Sequence, residues 1–225
     1  MSDLSKRELN RVIRRQRILD AALIEFSQNG FAGAAMDQIA ATAGLTKPTL
    51  YQYFTSKDDL FAAIMIEERE HMLAPFEHPS GAGMVADLYA FAWQYADIVL
   101  RPDMLSLARL IIAEAQRFPD IGHAYQASGP DRVLSGMMDY LGLQRAAGRL
   151  AFDDAELAAE DLWGLVLSAP RNKALYLPDD VPDRAGLERY IRNGVRVFLR
   201  AYSTNPAADL ALLQDLTPPP PTEFK

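Results

Sequence analysis

The sequence holds 225 residues with 23 Lys and Arg against 30 Asp and Glu, a formal charge of −7, and it is 49% hydrophobic and 24% charged with no cysteine. That balance suits one compact domain or two small ones and excludes wholesale disorder, while the missing thiols exclude a disulfide scaffold, Cys-ligated zinc, iron–sulfur clusters and thiol catalysis. The first ten residues are polar and charged, unlike a secretory signal, and no run approaches the roughly 18 apolar residues of a membrane helix, so a soluble, cytoplasmic protein is expected.

Helical periodicity dominates the chain. Over residues 11–29 the apolar Ile18, Leu19, Ala22, Leu23 and Phe26 recur at three- and four-residue spacing, and Gly30 supplies a stop. A short helix is expected over 36–43, closed by Gly44. A third starts after Thr46 as N-cap, with Lys47 and Pro48 in its first turn, and ends near Phe54. Ser56 reads as the N-cap of a longer helix, with Asp58 and Asp59 where carboxylates suit the macrodipole. Five more helices are expected over 83–100, 103–116, 121–147, 154–176 and 184–202, separated by breaks rich in proline. Strand-like alternation, hairpin dipeptides and internal repeats are not found. Residues 204–225, with Pro218–Pro221 in a row, read as a flexible tail. The expected fold class is all-α.

Charge is uneven along this chain. Residues 1–57 carry eight basic and five acidic residues, a net +3, and the remainder is net −10. A basic head on an acidic body suggests two segments with different partners, although an excess of three is weak without a motif. The segment 31–54 supplies one, a helix-turn-helix. Ala40 is small enough for two helices to approach, Gly44 suits a left-handed turn, and Ile39, Leu45, Leu50 and Phe54 are placed to pack between the helices. The second helix then presents Lys47, Thr49, Tyr51, Gln52 and Tyr53, all able to reach phosphates or base edges in a major groove. Periodicity alone is equally compatible with an ordinary helical hairpin whose polar residues face water.

The longer string from Ile18 to Phe61, with Ala43-Gly44-Leu45-Thr46-Lys47-Pro48-Thr49-Leu50-Tyr51-Gln52-Tyr53-Phe54 followed by Ser56-Lys57-Asp58-Asp59-Leu60-Phe61, resembles the N-terminal domain of the TetR family of bacterial repressors. The region from Ala108 to Tyr202, with Arg109-Leu110-Ile111-Ile112-Ala113-Glu114 and Gly129-Pro130-Asp131-Arg132, is similar to the AefR-like subgroup. The resemblance implies a three-helix DNA-binding domain over 1–58 and a helical effector-binding and dimerisation domain over 59–203. It puts Lys47, Thr49 and Gln52 on a base-reading face, where Lys47 suits guanine O6/N7 and Gln52 suits adenine N6/N7. Pro48 and the Thr49 methyl suit a thymine methyl, Thr46 begins the reading helix, and Tyr51, Tyr53 and Lys57 correspond to phosphate contacts. Arg14 and Arg17, with Lys6, Arg7, Arg11 and Arg15, form either a backbone-facing arm or a solvated helix face. One departure stands out: Ala35 occupies the position of a Thr that caps the second helix and touches phosphate, so that contact is missing or supplied by a backbone N–H.

In the body, Phe91, Trp93, Tyr95, Met104, His123, Tyr125, Met137, Tyr140, Trp163 and Asn172 are the candidate effector contacts, an apolar and aromatic set with a few polar anchors. Most such residues in any protein are plain core. The stripes Leu157, Leu162, Leu165, Val166, Ala169 and Leu187, Ile191, Gly194, Val195, Phe198, Ala201 are candidates for a homodimer seam, with Leu162, Val166, Ala169, Leu187, Ile191, Val195 and Phe198 foremost, because the family pairs its last two helices across a two-fold axis; each stripe alone also reads as core. Pro170 either bends the helix over 154–176 or ends it. The resemblance thus implies a repressor that binds a palindromic double-stranded operator as a dimer of this chain and is released by a small, largely apolar effector, with no cofactor, metal or membrane. Two rivals are a helical metal enzyme, using Glu68/His71 and Asp120/His123 at i, i+3 spacing, and an adaptor that has lost DNA binding.

Overall fold

The computed structural model describes residues 6–77 and 81–221, save the side chains of residues 68 and 69. Among the described residues eleven helices account for the architecture: α1 (Lys6–Gly33), α2 (Met36–Thr42), α3 (Lys47–Tyr51), α4 (Lys57–Glu77), α5 (Met84–Val99), α6 (Pro102–Glu114), α7 (Pro119–Ser128), α8 (Pro130–Ala146), α9 (Ala155–Tyr176), α10 (Arg184–Tyr202) and α11 (Pro206–Asp215). The all-α expectation holds; among the described residues extended pairing is confined to one isolated bridge, Leu150 with Ser203. The chain divides into two compact units, Met1–Glu67 with Ser106–Ser128, and Glu68–Leu105 with Gly129–Lys225. The first unit therefore extends past residue 58 and takes in most of α6 and all of α7.

In the first unit, the buried face of α1 is Ile18, Leu19, Ala22, Leu23 and Phe26, whereas its first two turns are exposed. Phe26, Phe31 and Phe61 form an aromatic knot, with Phe26 and Phe31 stacked at 5.3 Å and Phe61 edge-on to both. Buried rings in such arrangements add to the area they remove from water. The helix is kinked at Gly30 (φ 72°, ψ 167°). Gly44 sits in the left-handed region at φ 66°, the backbone the turn between α2 and α3 requires. Thr46 caps α3 by accepting the Thr49 N–H at 3.4 Å. Ser56 Oγ accepts the Asp59 N–H at 3.1 Å while Asp59 accepts from Thr55 N at 3.0 Å, a reciprocal cap that starts α4. Those bonds pull the Asp59 carboxyl below its ordinary pKa, the Thr55 hydroxyl contributing most.

The core of the second unit lies between α5, α8, α9 and α10. Within it α9 and α10 cross closely at Gly194. A Cβ there would stand 2.6 Å from the Leu165 carbonyl oxygen and 2.8 Å from Val166 Cα, so the two backbones meet with no room for a side chain. Leu162, Val166, Ile191, Val195 and Phe198 fill the same contact and are buried. Asp154 and Asp183 cap the two helices through Glu156, Leu157 and Gly186 N–H groups at 2.8–3.1 Å.

Two expectations about elements need correction, and the alternatives at Pro170 are decided. The single helix over 121–147 is two helices, because Gly129 precedes Pro130 and a residue before proline is disfavoured in helical backbone; Pro130 opens α8 instead. The helix over 154–176 does not end at Pro170, which is buried inside α9. Residues 204–225 are not simply a tail. Pro206 opens α11, Leu213 is buried, and Arg192 donates to the carbonyls of Leu213 and Leu216, the latter at 2.8 Å. Arg184 donates to the Pro219 carbonyl and pairs with Asp97 at 2.9 Å. Two guanidiniums thus strap this segment to the second unit; residues 222–225 lie outside the described residues.

Candidate nucleic-acid interface

The short α3 is held by its apolar side: Leu50 is fully buried and Phe54, just beyond it, nearly so. That fixes the opposite side outward. Thr46, Lys47, Pro48, Tyr51 and Gln52 are exposed, with Thr49 and Tyr53 half-buried. Three of these polar groups have internal partners. The Thr46 and Thr49 hydroxyls share a hydrogen bond at 2.8 Å. Lys47 Nζ pairs with Asp37 Oδ1 at 2.8 Å, both side chains being more than half exposed. The Asp37 hydrogen bond and charge raise the Lys47 pKa, so the ammonium is firmly protonated.

Beside α3, Arg7, Asn10, Arg11 and Arg14 from the exposed start of α1 join Gln52 and Tyr53 around an open groove of about 400 Å³. Three guanidiniums in one concavity next to the outward face of a helix-turn-helix make an anion-attracting surface of the kind that tracks a phosphate backbone. Arg14 belongs to it. Arg17 does not line this groove: its guanidinium lies over the turn, 2.5 Å from where a Gly44 Cβ would stand. Arg15 faces Glu67 at 3.8 Å and the Phe54 ring at 5.8 Å.

Lys57 has a structural task here. Its Nζ donates to the carbonyls of Phe31 at 2.7 Å and Ala32 at 3.2 Å, and it lies 5.1 Å from the Phe31 ring centre. It caps the end of α1 and supports the aromatic knot. At Ala35 the N-cap of α2 has no side-chain bond, and the Ala35 N–H is directed to the buried Glu25 carboxylate at 3.4 Å. The Ala35 backbone group is therefore engaged inward. Asp37 and Asn10 escaped the sequence reading. Their signal was the helix phase: Asp37 and Lys47 both occupy first turns, and the turn at Gly44 brings those turns together.

The candidate effector residues fall into separate places. Phe91, Trp93, Tyr95, Met137 and Tyr140 are buried in the second unit, Met104 is nearly so, Trp163 is half-buried and Asn172 is exposed. His123 and Tyr125 belong to the first unit, exposed and half-buried on α7. Tyr140 and Phe76 stack at 4.2 Å, Phe76 and Phe91 at 4.5 Å, Phe91 and Tyr95 at 6.2 Å, and Trp163 stands edge-on to Tyr95 and donates to its hydroxyl. A ladder of five rings results. Only Tyr140 of the ten candidates lines a cleft of about 300 Å³, with Phe76, Met84, Asp87, Leu143, Gln144 and Arg149.

The dimer stripes are corrected by the α9–α10 crossing. Leu162, Val166, Leu187, Ile191, Val195 and Phe198 are buried within one chain, Phe198 completely, so they face each other and not a partner. Leu157, Leu165, Ala169 and Ala201 of those stripes are exposed.

The metal-enzyme rival finds little support. The Glu68 side chain lies outside the described residues, His71, Asp120 and His123 are exposed, and among the described residues no three His, Cys, Asp or Glu side chains gather around a point. Among the described residues no helix is long and apolar enough to cross a membrane.

Comparison with known proteins places this geometry. Residues 18–64 match the bacterial regulatory proteins of the tetR family, and residues 86–204 match the C-terminal domain of AefR-like transcriptional repressors. The transcriptional regulator UidR of Escherichia coli K12 is 43% identical over 65 residues, which is 29% of this chain and 33% of UidR, so that likeness spans about a third of the relative. A TetR-family regulator from Mesorhizobium loti superposes with a TM-score of 0.72 at 29% identity, over 85% of this chain and 97% of its own. The flavonoid-responsive regulator FrrA superposes with a TM-score of 0.65 at 31% identity over the same shares. Matching models over both parts of the chain and full-length structural relatives carry one conclusion: the chain belongs to the TetR family of bacterial transcriptional regulators, with an AefR-like C-terminal domain.

Proposed function

We propose that the protein is a ligand-responsive repressor that binds a palindromic operator as a homodimer. The observation that carries the reading is the outward face of α3, Lys47, Thr49 and Gln52, set beside the arginine-lined groove of α1. In this reading Lys47 and Gln52 read base edges while Pro48 and the Thr49 methyl touch a thymine. Thr46, Tyr51 and Tyr53 contact phosphates, and Arg7, Arg11 and Arg14 follow the backbone. Lys57 acts from behind, as the prop that sets α1 against α4. Arg17 stabilises the turn. The acidic remainder of the chain is repelled by phosphate and leaves the basic face to dock.

One α3 reads few base pairs, so specificity calls for two copies on two half-sites. The seam we propose is the solvent side of α9 with that of α10. On α9 it offers Leu157 (58% exposed), Leu165 (38%), Ala169 and Tyr176 (83%), with Gly164 and Ser168 as low points between them. On α10 it offers Arg189, Arg196 and Arg200, which are exposed and opposite in charge to the exposed Glu160 and Asp161 of α9. An apolar stripe rimmed by complementary charge suits a self-complementary interface.

Effector control follows if a small molecule binds one arrangement of the dimer better than the other. The likeness to a regulator named for its response to flavonoids supports a planar aromatic effector. Selection of bound sequences from random duplexes tests the reading. A two-fold symmetric consensus is expected; no enrichment over the starting pool contradicts it.

A further inference from the structure

The second unit contains a cleft whose lining includes two buried polar side chains. Asp87 on α5 is only 5% exposed, and its Oδ2 accepts the Tyr140 hydroxyl at 2.9 Å. Its Oδ1 accepts from no described residue. Gln144 on α8 is also buried; its Oε1 accepts Arg149 Nε at 2.7 Å, and its amide nitrogen has no described partner. Both side chains line the same cleft of about 300 Å³, whose remaining floor is Phe76, Met84 and Tyr140 and whose exposed rim carries Leu143 and Arg149. Among the described residues Trp93 Nε1 is the one buried side-chain polar atom without a partner, so Asp87 Oδ1 and the Gln144 amide nitrogen keep access from the cleft they line, and a few accessible polar groups set among apolar walls suit a ligand that donates and accepts. Burial and the bond to Asp87 push the Tyr140 hydroxyl far above its ordinary pKa, so it stays a donor that orients the carboxylate.

We propose that this cleft is the effector site and that it takes a planar hydroxylated aromatic acid. The aromatic hydroxyl donates to Asp87 Oδ1, the ring lies against Phe76 and Tyr140, and the carboxylate meets the Arg149 guanidinium at the rim. The Gln144 amide donates to the bound hydroxyl oxygen. Each group of the ligand answers one group of the cleft: acceptor floor, aromatic wall, cationic rim. This inference rests on the reading of the protein as ligand-responsive, but the site is defined by binding alone and needs no DNA for its test.

The test is calorimetric titration of the full-length protein with 4-hydroxycinnamate, cinnamate and 4-vinylphenol. The hydroxyl and the carboxylate should each strengthen binding by at least about tenfold, the size expected of a hydrogen bond to a charged group. Arg149→Ala, on an exposed loop, should erase the preference for 4-hydroxycinnamate over 4-vinylphenol and keep the preference for the hydroxyl. Asp87→Asn should erase the hydroxyl preference, and Tyr140→Phe, checked for intact helix content by circular dichroism, should weaken it. Equal binding of cinnamate and 4-hydroxycinnamate, or no heat from any of the three, overturns the assignment. Operator binding measured on the same preparations separates the two readings: retained DNA binding with no aromatic acid bound sinks the site and spares the repressor.

Discussion

Lys47 Nζ and Asp37 Oδ1 stand 2.8 Å apart across the turn of the helix-turn-helix, joining the first turns of α2 and α3. Each is exposed, so the pair contributes little to stability. Under the proposed function its consequence is for recognition: the lysine assigned to base reading is held in one orientation by a carboxylate that itself repels phosphate. Replacing Asp37 by Asn should raise non-specific DNA affinity several-fold and narrow the gap between operator and random duplex, measured by anisotropy at fixed salt. A gap that stays the same would free Asp37 of this role. Replacing Lys47 by Ala should cost about 1–3 kcal/mol at the operator and relax preference at one base pair.

Lys57 is anchored on the carbonyls of Phe31 and Ala32. Lys57→Ala should therefore lower stability by about 1 kcal/mol in a urea titration and weaken DNA binding through the loosened α1. A variant with unchanged unfolding midpoint and a salt slope reduced by about one per subunit would restore the simpler role of a direct phosphate contact.

Gly194 has no room for a methyl against the backbone of Leu165 and Val166. Gly194→Ala should destabilise the protein by about 1–3 kcal/mol, because neither backbone can give way as a flexible side chain would. Phe198→Arg, at a fully buried position, should abolish folding and so says nothing about dimerisation.

Leu165→Glu is the informative seam variant. It stands at an exposed position of α9 and should leave helix content intact while converting the dimer to monomer by light scattering. A dimer of undiminished stability would move the seam elsewhere.

Deleting residues 205–225 removes α11 and the carbonyls that Arg192 and Arg184 hold. The truncated chain should unfold at lower urea than the full chain; an equal midpoint would return the segment to the status of a tail.

The helix-turn-helix was legible because its signals are local. Gly44 sets the turn, Thr46 and Pro48 open α3, and Leu50 and Phe54 alternate with the exposed face at helical spacing. What stayed illegible was relational. The period that marks Leu187, Ile191, Val195 and Phe198 as one face does not say whether that face meets the same chain or another; the answer lay in Gly194, whose missing side chain lets α9 close upon it. A list of aromatics likewise held four rings of the ladder from Tyr140 to Trp163 but neither Phe76, which joins Tyr140 to Phe91, nor the cleft, since Asp87 lies far along the sequence from Gln144 and Arg149. The break at Gly129-Pro130 was present in the sequence, but the apolar periodicity on both sides masked it.

The central claim is that the α3 face discriminates between DNA sequences, and a titration of two duplexes tests it most directly. One duplex carries the symmetric sequence selected from a random pool and the other a scramble of equal composition, both at physiological salt. The account predicts two chains bound per selected duplex, a preference over the scramble of at least about 10³-fold, and a marked loss of that preference in Lys47→Ala. Equal affinity for the two duplexes, or a preference that Lys47→Ala leaves untouched, would contradict it.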